Sequence, residues 1–139
     1  MNEHNFDFAL TLRCYRKQLG LDQDELAELL GVAQATISRW EAGKRLPKDP
    51  VEILLGLQEL AETFDDVVED IIALAAHDDD GRIILTTYRA DEHWWLADEH
   101  ARDMALPASM HQAATARAAR EIALDDVDNT TVVAIRASR

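Results

Sequence analysis

The stretch that most constrains this chain is Gln23–Trp40, QDELAELLGVAQATISRW. Leu26, Leu30, Val32, Ile37 and Trp40 supply apolar positions at helical spacing, and Ala27 and Gly31 stand four apart between them. The pattern describes two short helices joined by a tight turn. Ala27 lets the second helix approach closely, and Gly31 ends the first where a positive φ is needed. Asp22 followed three residues later by Glu25 is a capping box, in which a carboxylate accepts orphan N–H groups and a Glu reaches back. The spacing predicts helices over Gln23–Leu30 and Gln34–Glu41, then a basic loop, AGKRLP, over Ala42–Pro47. A preceding helix is expected over Phe6–Leu19, with Phe8, Leu12, Tyr15 and Leu19 inward, Asn5 as N-cap and Gly20 as the stop. Cys14, inside it, is expected at a small core or near-core position.

Length and charge bound what surrounds this stretch. The 139 residues suit one ordinary domain or two small ones, and two are expected, 1–62 and 63–139. No apolar run approaches the ~18 residues of a membrane span, and the first residues lack the basic start and apolar run of a signal peptide. A single cysteine excludes an internal disulfide framework, so a reduced, cytoplasmic setting is expected. The net charge of −13 argues against nucleic acid as a partner if read as one number. Its distribution changes that: residues 9–62 carry seven Lys/Arg against nine Asp/Glu, and residues 63–139 carry seven against sixteen. Two halves with different charge face different partners.

Beyond the basic loop, Asp49 and Pro50 form a helix start, with Asp49 as N-cap and Pro50 in the first helical position. Apolar residues then recur every three or four positions, without a phase break, to Ala76. Either one long helix results, or a fourth and a fifth helix break near Thr63. Phe64, Val67, Val68, Ile71 and Ile72 offer more apolar surface than one small domain absorbs, which points to a helix–helix dimer seam. Asp78-Asp79-Asp80-Gly81 lacks the alternating ligands and distal Glu of a calcium loop and is read as a solvated turn. A strand is expected over Arg82–Tyr88, a helix over Asp91–Met104 and an alanine-rich helix over Met110–Leu124 capped by Ser109. A second strand is expected over Thr131–Ala137. His93, His100 and His111 lack the partners of a metal site and are read as ordinary surface or interface histidines. Trp94 and Trp95 are further dimer-interface candidates. No metal, cofactor or catalytic set is expected, since no nucleophile–base arrangement, phosphate loop or metal motif is present.

The two central helices have the form of a helix-turn-helix whose second helix enters a DNA major groove. Residues from Leu12 to about Leu60 resemble the Cro/C1-type helix-turn-helix domains of phage repressors, the XRE family. The resemblance rests on R-x-x-x-G-L-x-Q-x-E-L-A from Arg16 to Ala27 and G-V-x-x-x-x-I-S-R-W-E-x-G from Gly31 to Gly43. It implies base contacts from Gln34, Ala35, Thr36 and Arg39. It also implies phosphate contacts from Gln23, Ser38, Lys44, Arg45 and Lys48, and a structural ion pair between Arg16 and Glu41. Chemistry agrees: Gln pairs with adenine N6/N7, Arg with guanine O6/N7, and Ala or a Thr methyl packs on a thymine methyl. One departure is Ala33 at the N-cap of the groove helix, where Ser or Thr is usual; it forgoes ~1 kcal/mol of capping.

The C-terminal half more loosely resembles anti-CRISPR-associated (Aca) autorepressors and YdiL-like proteins read as antitoxins, and that likeness implies dimerisation. The expected fold is mainly α: a five-helix repressor-like helix-turn-helix domain, then an acidic α+β dimerisation domain of two short strands and two to three helices. The function this implies is a sequence-specific DNA-binding regulator, not an enzyme: a homodimeric repressor of its own gene on an inverted repeat of double-stranded DNA. The alternative is an antitoxin whose acidic half binds a protein partner. A third option is a ligand sensor built around Trp94 and Trp95.

Overall fold

The computed structural model describes residues 5–128 and 130–138. They group into two compact units that divide between Glu62 and Thr63.

The first unit begins with α1 (Phe8–Gln18), α2 (Gln23–Leu30) and α3 (Gln34–Glu41). The N-cap of α1 is Asp7, not Asn5: its carboxylate accepts from the Leu10 N–H at 3.0 Å. Asn5, at φ 44°, lies outside the helix. Asp22 and Glu25 form the reciprocal capping box of α2. Gly31, at φ 70°, closes α2 in the left-handed region that a Cβ disfavours. Leu12, Leu19, Leu26, Ile37 and Leu57 are fully buried, and Phe8 meets Trp40 edge to face at 6.1 Å. Cys14 is exposed rather than near the core. Two residues beyond Leu12 is about 200° around the helix, away from the buried stripe.

The chain then enters α4 (Pro50–Ala73), started by Asp49, whose carboxylate accepts from the Glu52 N–H at 3.2 Å. The helix runs unbroken past Thr63, so the expected separate fifth helix does not form. No Pro or Gly follows Gly56 in it, and a continuous apolar phase gives the backbone no reason to stop.

The second unit holds the C-terminal part of α4, then β1 (Ala76–His77), β2 (Ile83–Thr87), α5 (Asp91–Ala97), α6 (Glu99–Asp103), α7 (Ala108–Asp125) and β3 (Val133–Ala137). The sheet order is β1-β2-β3. β1 pairs antiparallel with β2, Ala76 opposite Ile84, and β2 pairs parallel with β3, Leu85 opposite Ile135. Three strands form where two were expected, because β1 is too short to show as an alternating pattern. The parallel pair requires a long crossover, which α5–α7 supply. α7 packs on β2 and β3, and its alanines permit close approach: Ala114 and Ala118 are fully buried.

Three local expectations are corrected. The helix expected over Asp91–Met104 is broken at Asp98, which adopts an extended conformation and caps α6 by accepting from the Ala101 N–H at 3.1 Å. Ser109 does not cap α7. Pro107 is the N-cap, and the cap bond comes from Asp91, whose carboxylate accepts from the Ala108 N–H at 2.7 Å. His111 is buried, not a surface histidine. Of the expected dimer seam, Phe64, Val68, Ile71 and Trp94 are buried within a single copy, so intrachain packing already uses them. Val67, Ile72 and Trp95 remain half-buried; the Trp95 indole N–H donates to the Leu106 carbonyl at 2.8 Å. Asp78–Gly81 is a turn in which the Asp78 carboxylate accepts from the Asp80 and Arg82 N–H groups. Among the described residues no helix is long and apolar enough to cross a membrane.

Candidate nucleic-acid interface

α3 buries Ile37, Trp40 and Glu41 and turns the opposite side to solvent. At 100° per residue, Gln34, Ala35, Ser38 and Arg39 share the outward arc. Gln34, Ala35 and Arg39 are exposed and Ser38 is half-buried. Thr36, also half-buried, falls at the margin of that arc. Lys44, Arg45 and Lys48 are exposed in the loop that follows. Ala33 at the N-cap makes no side-chain cap bond; only its carbonyl serves the first turn, accepting from the Thr36 N–H at 3.0 Å.

Behind the outward arc lies a polar chain. Arg16 grips the Glu41 carboxylate with two parallel bonds, Nε to Oε2 at 2.6 Å and Nη2 to Oε1 at 2.8 Å, and its Nη1 donates to the Leu21 carbonyl at 3.0 Å. The Gln23 Nε2 donates to Glu41 Oε1 at 3.3 Å. The Gln34 Nε2 in turn donates to Gln23 Oε1 at 2.8 Å. Gln34, assigned by sequence to bases, and Gln23, assigned to a phosphate, are therefore joined side chain to side chain. Each Nε2 has a second hydrogen left to donate outward, and Gln34 also keeps its amide oxygen.

The electrostatics hold this arrangement ionised. Burial pushes the Glu41 carboxyl up, but the Arg16 and Gln23 hydrogen bonds and the charges of Arg16 and Arg13 outweigh it and hold the group below the usual carboxylate range. The Arg16 guanidinium is raised by its bond to Glu41 against the opposing effect of burial. Arg13 is a member that the sequence reading missed: its Nη2 donates to the Glu41 carbonyl at 3.2 Å. Its position three before Arg16, on the same face of one helix, is the signal that pointed to it. Trp40 carries a buried indole N–H with no partner among the described residues.

The arrangement presents bidentate-capable amide and guanidinium groups on a convex helix face, flanked by cations. It suits base edges and phosphates. No curated protein matches the chain. Residues 12–51, which span α1 from Leu12 through the start of α4, match the helix-turn-helix family model, so this chain carries an XRE-type helix-turn-helix, the DNA-binding element of transcription regulators.

Proposed function

We propose that the protein is a homodimeric transcriptional repressor that reads an inverted-repeat operator through α3. Gln34, Ala35, Thr36 and Arg39 meet base edges in this reading, and Gln23, Ser38, Lys44, Arg45 and Lys48 hold phosphates. The first unit is the DNA-binding domain, and the acidic second unit serves dimerisation. The observation that carries the reading is the Gln34–Gln23–Glu41–Arg16 chain. It fixes the orientation of a base-reading amide on an exposed helix face before DNA arrives, which lowers the entropy lost on binding. A two-fold pair of such helices would meet major grooves ~34 Å apart.

The test is selection of bound duplexes from a random pool, followed by titration of the recovered site. Arg39→Ala and Gln34→Ala are each expected to weaken specific binding by ~1–3 kcal/mol while the thermal melt stays put. Unchanged affinity in both variants would remove α3 from base reading. Sedimentation of the protein with and without the duplex checks the two-to-one stoichiometry.

The charge division favours a second reading. The sixteen acidic residues of 63–139 suit a basic protein partner, as in an antitoxin that also represses its own gene. A small basic protein that co-purifies in fixed ratio would support it.

A further inference from the structure

The second unit contains a cavity of about 690 Å³ that the DNA-binding reading leaves unused. Its size is that of a small-molecule site. Aromatic rings form part of its wall. Tyr88 and Trp94 lie nearly parallel, with an interplanar angle of 11° and centroids 6.4 Å apart. The His111 ring meets both edge-on, at 4.8 Å from each. Ile71 and Leu74 add an apolar portion, and Asp70 and Asp98 bring carboxylates. Neither carboxylate has an ion-pair partner among the described residues. Glu99, also on the lining, is taken by Arg102 at 3.2 Å.

His111 supplies the most specific observation. It is 7% exposed, yet its ring lines the cavity. Nδ1 lies 2.7 Å from the Thr87 hydroxyl and 3.3 Å from that of Thr115. The Thr115 hydroxyl hydrogen is already committed to the His111 carbonyl at 2.7 Å. Its oxygen favours the tautomer with the hydrogen on Nδ1, in which Nε2 is a lone-pair acceptor; the Thr87 hydroxyl fits either tautomer, donating to Nδ1 or accepting from it. Nε2 has no hydrogen-bond partner among the described residues. Burial pushes this histidine down to about 4, against the upward pull of Asp98, so the ring is uncharged at neutral pH and does not repel a cation.

We propose that this cavity binds a small organic amine in its protonated form. The ammonium would donate to His111 Nε2 and the Asp98 carboxylate beside the faces of Tyr88 and Trp94, and an apolar body would lie against Ile71 and Leu74. Each element suits that class. Aromatic faces attract cations, carboxylates without a cation supply countercharge, and a neutral imidazole acceptor needs an N–H donor. An anionic ligand would meet Asp70, Asp98 and Glu99, with His100 as the one basic side chain beside His111 on the described lining.

The experiment is calorimetric titration of the full-length protein at pH 7.5 with 2-phenylethylammonium. The comparison ligands are the neutral isostere 2-phenylethanol, the anion phenylacetate, and N-acetyl-lysine methylamide, which stands in for a side chain of a basic protein partner. The ammonium is expected to bind at least tenfold more tightly than the alcohol, with no binding of the carboxylate. It should also shift the His111 ring and Trp94 indole nitrogen resonances. Asp98→Asn, which keeps an N-cap for α6, and Asp70→Asn on an exposed site should together weaken binding tenfold or more. Absent binding of the ammonium, equal binding of the alcohol, or indifference to both substitutions would overturn the proposal. Preferential binding of the lysine analogue would overturn it as well, by moving the cation to a protein partner. The readout involves no DNA, so its failure and that of the repressor reading are separable.

Discussion

A carboxylate with 2% of its side chain exposed, as in Glu41, remains ionised only when its lone pairs are fully engaged, and here a fork-shaped guanidinium does it. Removing the guanidinium strands a buried charge. Arg16→Ala is expected to cost ~3 kcal/mol of stability, read as a lower denaturant midpoint with an unchanged slope. An unchanged melt would contradict the ion-pair role. Gln23 and Gln34 hang from the same carboxylate, so the variant should also loosen DNA recognition at sites that Arg16 never touches. His111 is the converse case, in which burial favours the neutral form and lowers the pKa for that reason. Its native pKa lies near 4, below the 6.5 of the unfolded chain, so unfolding takes up a proton between those values. The contribution is present above pH 6.5, declines as pH falls toward 4, and is flat below. The total is roughly 3 kcal/mol at 1.36 kcal/mol per unit. Chemical denaturation at a series of pH values checks it, and His111→Gln should flatten that part of the profile.

At the scale of elements, α3 is short and starts without a side-chain cap. Eight residues form a stable helix only through packing, and the burial of Ile37 and Trp40 provides it. Ala33→Ser is therefore expected to add ~1 kcal/mol of stability, seen as a raised melting temperature. It would also place a hydroxyl beside the phosphates in the proposed complex. The other helix ends divide by the range of their caps. Asp7, Asp22 and Asp49 cap their own helices from adjacent sequence. α7 instead draws its cap from Asp91, seventeen residues upstream. That bond exists only once the turn between α6 and α7, with Ala105 at φ 53°, brings the two segments together.

For the whole molecule, charge is the property that matters most to the proposed activity. The exposed cations of the loop after α3 number three per copy (Lys44, Arg45, Lys48). A dimer engaging all of them would show operator affinity that falls with salt at a log–log slope of roughly −5. Lys44→Ala should bring that slope about two units closer to zero, one per copy, while lowering affinity for all sequences alike. A slope near zero would mean that phosphates are not held by this loop. The acidic residues of the second unit oppose non-specific binding to DNA, so the discrimination between operator and random duplex is expected to be large at moderate salt.

The amino-acid order alone determined the helices and turn of the first unit, because each is set by neighbours within four residues: the Asp22–Glu25 box, the positive φ of Gly31, the apolar spacing from Leu26 to Trp40. In the second half β2, β3 and the alanine-rich α7 were legible for the same reason. Tertiary structure decided what depends on residues far apart in sequence. It paired β2 with β3 in parallel across fifty residues, added the two-residue β1, and broke the α5–α6 segment at Asp98. It also buried Phe64, Val68, Ile71 and Trp94 inside one copy, and enclosed His111 between Thr87, Tyr88 and Trp94. Local propensity is short-ranged; burial and the closing of a cavity are set only when distant segments compete for the same apolar space.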